Sequence, residues 1–179
     1  MHASAVDFVL DLVQNSVEAG ASLIDVEIDE STEGVTLQVS DNGCGMDAAQ
    51  LARALDPFRS GGAKHPSRKV GLGLPFLKQA AELAGGEFRI ESVPGRGTMV
   101  RAMFPASSVD SPPLGDVTTL FVTLLGMVGE CELVLHRKRA SDGLSYTVRK
   151  SELAEAAGDL ATASGLSLVR QFLASQEEG

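Results

Sequence analysis

The hydrophobic and polar positions of this chain change period several times. Val6, Val9, Leu10, Val13 and Val17 fall on one stripe at about 100° per residue, which predicts a buried-face helix closed by Gly20. The same spacing sends Asp11, Asn15 and Glu18 to the opposite ridge. SLIDVEID and GVTLQVS then alternate apolar with polar around Thr32-Glu33-Gly34, the pattern of a half-buried hairpin. Helical spacing returns over 48–55 behind an Asp47 cap and stops before Pro57. Residues 59–69, RSGGAKHPSRK, have no apolar period and read as a mobile loop. VGLGLPFLKQAAELAGG reads as a glycine-rich helix start and an amphipathic helix that Gly85-Gly86 stops. EFRIESVPGRGTMVRAMF predicts a second hairpin turning at Pro94-Gly95-Arg96-Gly97.

Prolines and serines in PASSVDSPPLGD interrupt both patterns, so 106–115 is expected to link a core of 1–105 to an extension of 116–179. In that extension Val117, Leu120, Phe121, Leu124, Leu125 and Val128 form a helical stripe, expected to pack on its own sheet. CELVLHRK and LSYTVRK, separated by 139–143, predict a third hairpin, and short helices near 151–157 and 165–175 follow. The chain contains no sequence repeat and no low-complexity tract.

Charge narrows the ligands. Fifteen basic against 24 acidic residues give a net −9, which disfavours a nonspecific grip on nucleic acid or an anionic membrane. A polyanionic ligand must therefore find a local basic patch, and Arg59, Lys64, Arg68 and Lys69 form one in the predicted loop. Cys44 and Cys131 make no disulfide framework, which fits a reducing compartment. MHASAVDFVLDL lacks the cationic start and cleavage site of a signal peptide, and no apolar run approaches the roughly 18–20 residues of a membrane span. The expectation is a soluble cytoplasmic protein.

Three stretches carry chemistry. In SDNGCGMD the carboxylate of Asp41, at a strand end, can accept a hydrogen bond from a ring's exocyclic amine, and Gly43 and Gly45 let a flat ring approach backbone. The same residues also suit a plain Asp-Asn-Gly turn. GLGL behind the basic loop offers unpaired N–H groups at a helix start to phosphate, although a charge run is often only a solvated face. Asn15 can present an amide oxygen to magnesium, although a lone polar residue on a helix is ordinarily solvated. Their joint occurrence, in order, on a helix, at a strand end and at a loop-to-helix junction, carries more weight than any one of them.

At these motifs the sequence resembles the GHKL superfamily of ATP-binding domains: gyrase, a heat-shock chaperone, histidine kinases and MutL-type repair proteins. LVQNSVEAGAS-LIDVEI is similar to the MutL-type asparagine box and DNGCGM to the first glycine box. DPFRSGG, VGLGLPFLKQAAELAGGEF and GRGTMVRAMFP resemble the catalytic domain of histidine kinases. The resemblance covers about residues 3–105. It implies an α+β, two-layer α/β sandwich of the Bergerat type, here with a C-terminal helix–hairpin–helix extension. It also implies ATP and Mg2+ as ligands. Asn15 would hold magnesium, Asp41 would read the adenine amine, and Gly43, Gly45, Met46 and Thr98 would shape the base pocket. Lys64, Arg68 and Lys69 would reach phosphates from a lid, and Gly71, Gly73 and Leu74 would offer backbone to the triphosphate.

One departure bears on activity. Hydrolytic members have a glutamate one turn before the asparagine as general base, whereas this chain has Asp11, one methylene shorter. Intrinsic hydrolysis is therefore expected to be slow or absent. Histidine kinases carry their phosphoacceptor on a separate dimerising helix beside an acid, and His2, His65 and His136 lack that setting in the sequence. Cys44 is expected to fit the pocket turn and Cys131 a core strand, with no metal-ligating Cys/His cluster. The expected function is a stand-alone histidine-kinase-like ATPase or protein kinase module acting on a protein partner in trans. The alternative is a non-catalytic, nucleotide-dependent binding module. A MutL-like repair ATPase ranks lower on length and charge.

Overall fold

A computed structural model describes residues 4–58, 73–160 and 162–178. In chain order the elements are α1 (Ala5–Glu18), β1 (Leu23–Glu30), β2 (Gly34–Asp41), α2 (Ala48–Ala54), α3 (Gly73–Leu83), β3 (Glu87–Val93), β4 (Gly97–Pro105), α4 (Val117–Met127), β5 (Glu132–Arg139), β6 (Leu144–Arg149), α5 (Lys150–Ala157) and α6 (Ala163–Glu177). The strands form one sheet in the order β3-β4-β2-β1-β5-β6. β1 and β5 run parallel, and the other neighbours are antiparallel. A parallel pair needs a crossover, and α4 lies on the one that returns the chain from β4 to β5. The result is the two-layer α+β sandwich that the sequence led us to expect.

Period-two alternation decides which face of the sheet meets the helices. Ile24, Val26 and Ile28 of β1, Leu37 and Val39 of β2, Val100, Ala102 and Phe104 of β4, and Leu133 and Leu135 of β5 are buried in one core with α1, α3, α4 and α6. The opposite face carries polar cross-strand pairs. His136 lies 2.9 Å from Asp25 and 2.8 Å from Thr147, and Lys138 lies 2.7 Å from Glu27. The apolar stripe of α4 is buried throughout; where packing on the sheet was expected, the helix lies chiefly against α1 and α6, with Phe121 meeting Tyr146 of β6 edge-on. Each such Leu or Phe contributes about 1.5–3 kcal/mol by leaving water.

α1 is anchored at its start. Asp7 accepts from the Ser4 backbone N–H at 2.9 Å, and the Ala5 and Val6 N–H groups donate to the carbonyls of Pro113 and Leu114 at 2.8 and 3.0 Å. These first N–H groups have no partner within a helix, so the segment between β4 and α4 supplies their acceptors. Its Gly115, at φ +92°, leaves no room for a Cβ, which would lie 2.7 Å from Val6 Cγ2.

At the far end of the inner face the alternation places a charge. Arg137, 1% exposed, is the register partner of Ile28. Its guanidinium donates to Glu30 at 2.7 Å, to Glu177 of α6 at 3.2 Å and to the Lys138 carbonyl at 2.8 Å. Glu177 also accepts from Arg139 at 2.9 Å and from the Tyr146 hydroxyl at 2.7 Å. Burial, then the hydrogen bond and charge of Glu177, push the Tyr146 phenol far above its usual range. Buried charges persist where they are paired, and this cluster ties the C-terminal helix to the β5–β6 hairpin.

Candidate functional site: one helix between two glycine segments

At the opposite end of the sheet the inner face turns polar. Asp41 of β2 is the register partner of Thr98 on β4, and Thr98 of Ser92 on β3. Directly opposed residues project to the same face, so the three form a polar row beside the apolar core. The Ser92 and Thr98 hydroxyls lie 2.8 Å apart, and Ser92 accepts from the Met46 N–H at 2.8 Å. Met46, at the end of the glycine turn, is thereby fixed to the β3–β4 hairpin.

Both oxygens of Asp41 receive a donor. The Gly43 N–H donates to Oδ1 at 2.8 Å, and the Ser16 hydroxyl of α1 donates to Oδ2 at 2.8 Å. Two further bonds tie the turn to its surroundings: Cys44 N–H to the Ala19 carbonyl at 3.0 Å and Gly95 N–H to the Cys44 carbonyl at 2.7 Å. Asn42 braces it too, its side-chain oxygen accepting from the Ser22 and Leu23 N–H groups at 2.9 and 3.0 Å.

Part of the glycine requirement is internal to the chain. A Cβ on Gly43 would lie 2.9 Å from Ala19 Cβ, and one on Gly45, at φ +63°, would run into the Val93 carbonyl oxygen. The turn is thus as thin as a flat ligand would need, but the residues closest to it are its own.

α1 joins this turn to the second glycine segment. Gly73 opens α3 against Asp11, where a Cβ would come within 2.8 Å of Asp11 Cβ and 3.0 Å of its Oδ2. Along α1, then, Asp11 meets Gly73, Ser16 meets Asp41, and Ala19 meets Gly43, with Asn15 half-buried between them. From Asp11 to Ala19 is about 12 Å at the α-helical rise. Leu74 is buried behind Gly73 and packs in the core. Lys64, Arg68, Lys69 and Gly71 lie outside the described residues, as do His2 and His65.

Of the residues that stand out in the sequence, Asn15, Asp41, Gly43, Gly45, Met46, Gly73, Leu74 and Thr98 lie along or at the ends of that helix and polar row. Ser16, Asn42 and Ser92 join them without a motif to mark them. Ser16 had one visible signal, since it is the polar residue on the otherwise apolar side of α1 and is 3% exposed. Cys44 is exposed on the turn. Cys131 is buried just before β5, and burial pushes its thiol upward. His136 sits on a strand beside Asp25, so an acid is near it although it is not on a helix.

Two hollows lie away from this site. One of about 400 Å³ is lined by Leu153, Leu168 and Phe172 between β6, α5 and α6, and one of about 380 Å³ lies between the start of α4 and the Arg137 cluster. Neither is lined by Asp41, Asn15 or Gly73.

The site thus combines a mixed sheet with a helix that links two glycine segments. The chain belongs to the family described as histidine kinase-, DNA gyrase B-, and HSP90-like ATPase, whose model matches residues 4–108. Among relatives, the cell-division control histidine kinase PdhS of Brucella canis is 36% identical over 113 residues, covering 56% of this chain and 11% of that protein. Proteins of the same name in Brucella suis and Brucella ovis match to the same extent. The chain thus spans about a tenth of the length of these relatives.

A crystal structure of the N-terminal domain of a DNA repair protein superposes with a TM-score of 0.59 at 14% identity, over 92% of this chain and 59% of that one. That coverage runs well beyond residue 108, so the likeness in fold takes in part of the α4–α6 region. At this identity it concerns the fold alone. No helix among the described residues is long and apolar enough to cross a membrane.

Proposed function

We propose that this chain binds Mg·ATP along α1 and acts as a histidine-kinase-like ATPase or kinase module toward a protein partner. The observation that carries the reading is the double contact of α1, through Ser16 with Asp41 and through Asp11 with Gly73. A base would lie at the Asp41 end, where a carboxylate with occupied inner lone pairs still has outer ones for an amine. The phosphates would lie toward Gly73, at a helix start whose N–H groups and dipole favour anions. Lys64, Arg68, Lys69 and Gly71 would complete that end.

The donor set suits magnesium. Among the described residues no group of three or more His, Cys, Asp or Glu is placed to hold a metal. Asn15 would give an amide oxygen, with phosphate and water as the remaining ligands, the coordination this hard cation favours. When bound, the metal would neutralise charge on the phosphates. Asp11, at the Gly73 end, would be the group to take a proton from an attacking water or hydroxyl. In transfer, the bond from the γ-phosphorus to the bridging oxygen breaks as one to the acceptor oxygen or nitrogen forms, and ADP leaves.

The test uses ATP labelled at the γ-phosphate. Label appearing on a protein in a lysate supports the kinase form, and steady ADP release by the chain alone supports the ATPase form. Nucleotide binding with neither outcome leaves a binding module whose partner affinity follows ATP or ADP. No nucleotide binding contradicts the proposal.

A further inference from the structure

Ser16 is one of two buried polar or charged side chains among the described residues, the other being Arg137. We propose that Ser16 is a specificity-determining positioning residue, whose hydroxyl holds Asp41 so that the base site takes purines bearing an amine at the six-position and rejects those bearing a keto oxygen there. The inference rests on the reading of Asp41 as the residue that meets the base.

A serine hydroxyl has one proton, and Ser16 Oγ faces two acceptors, Asp41 Oδ2 at 2.8 Å and the Leu12 carbonyl at 3.2 Å. The carboxylate is the closer, and a charged acceptor makes the stronger bond. Turning the proton to Leu12 would leave oxygen lone pairs facing a carboxylate, so donation to Asp41 is favoured. The Gly43 N–H occupies Oδ1 from a different segment. Two donors from two elements fix the plane of the carboxylate and consume its inward lone pairs. What remains outward is acceptor only. An amine complements it, while a keto oxygen meets another acceptor and loses the hydrogen bonds both groups had in water.

The competing reading is that Ser16 merely bonds back to its own helix, four residues earlier, and has no part in base choice. The two are separable. Ser16→Ala is smaller and a better helix former, so α1 is retained, but Asp41 loses a donor. Calorimetry on wild type and Ser16→Ala would compare Mg·ATP with the magnesium complexes of purine riboside triphosphate, which has no exocyclic amine, and of ITP, which has a keto oxygen in its place. The expected result is an affinity for ATP lowered about tenfold, with purine riboside triphosphate unaffected and ITP gaining relative to ATP. Equal losses for both nucleotides, or none for either, overturn the inference while wild-type ATP binding stands. Failure of the wild type itself to bind ATP instead overturns the reading of Asp41 on which the inference rests.

Discussion

Gly73, the first residue of α3, sits so close to Asp11 that a Cβ there would lie 2.8 Å from Asp11 Cβ. Both atoms are fixed by helical backbone, so neither can yield without moving α1 against α3. Gly73→Ala is therefore expected to weaken Mg·ATP binding at least about tenfold and to cost roughly 1–3 kcal/mol of stability through overpacking. Calorimetry with a urea titration checks both, and unchanged values would show that the α1–α3 contact tolerates a methyl group.

The same contact puts Asp11 at the phosphate end of the proposed site. Asp11→Asn keeps the shape of the side chain and removes the base. Any ADP release by the wild type should fall about a hundredfold or more, with Mg·ATP affinity nearly unchanged. Coupled-enzyme assay of ADP measures it. An undiminished rate would assign the proton transfer elsewhere.

Tyr146 gives a pH dependence of known sign. Its phenol is held neutral in the folded chain by burial and by Glu177, against an ordinary value of 10.0. A raised folded value means the stabilisation is complete below the ordinary phenol range and is lost as pH rises above it, because the unfolded chain ionises first. Glu177, Arg137 and Arg139 face the hydroxyl's surroundings and keep their own pairs there. Tyr146→Phe should cost about 1 kcal/mol at neutral pH and lose stability less steeply than wild type above about pH 10. Urea midpoints at stepped pH for both proteins test this, and parallel pH profiles would count against it.

Much of the fold was legible because period and punctuation agreed along most of the chain. Val6 to Val17 at helical spacing, Ile24 to Ile28 in alternation, and glycines at the turns each predicted an element that the structure contains. What the sequence could not reveal was pairing between distant elements. Nothing in LVLHRK indicates that β5 runs parallel to β1, or that Arg137 rather than His136 faces inward. Register alone decides that, since a slip of one residue exchanges the two faces.

The candidate site divides in the same way. Asp41 and the glycines stand out by residue type and spacing. Ser16 and Ser92 do not, because their importance lies in what they touch across 25 and 46 residues of chain. The glycines had a second explanation that sequence could not supply, close contact of Gly43 with Ala19 and of Gly45 with the β3–β4 turn.

The central claim is that Asp41 meets the base of a bound adenine nucleotide, and Asp41→Asn probes it most directly. In the folded chain Oδ1 accepts from the Gly43 N–H, so in Asp41→Asn the amide oxygen keeps that place and the NH2 takes the Oδ2 position, where the Ser16 hydroxyl can accept from it and donate to the Leu12 carbonyl; the negative charge and one acceptor oxygen are lost. Titration calorimetry with magnesium should show heat from ATP binding to the wild type and at least about a tenfold loss of affinity in Asp41→Asn. Equal affinities in the two proteins, or no heat from either, would contradict the account.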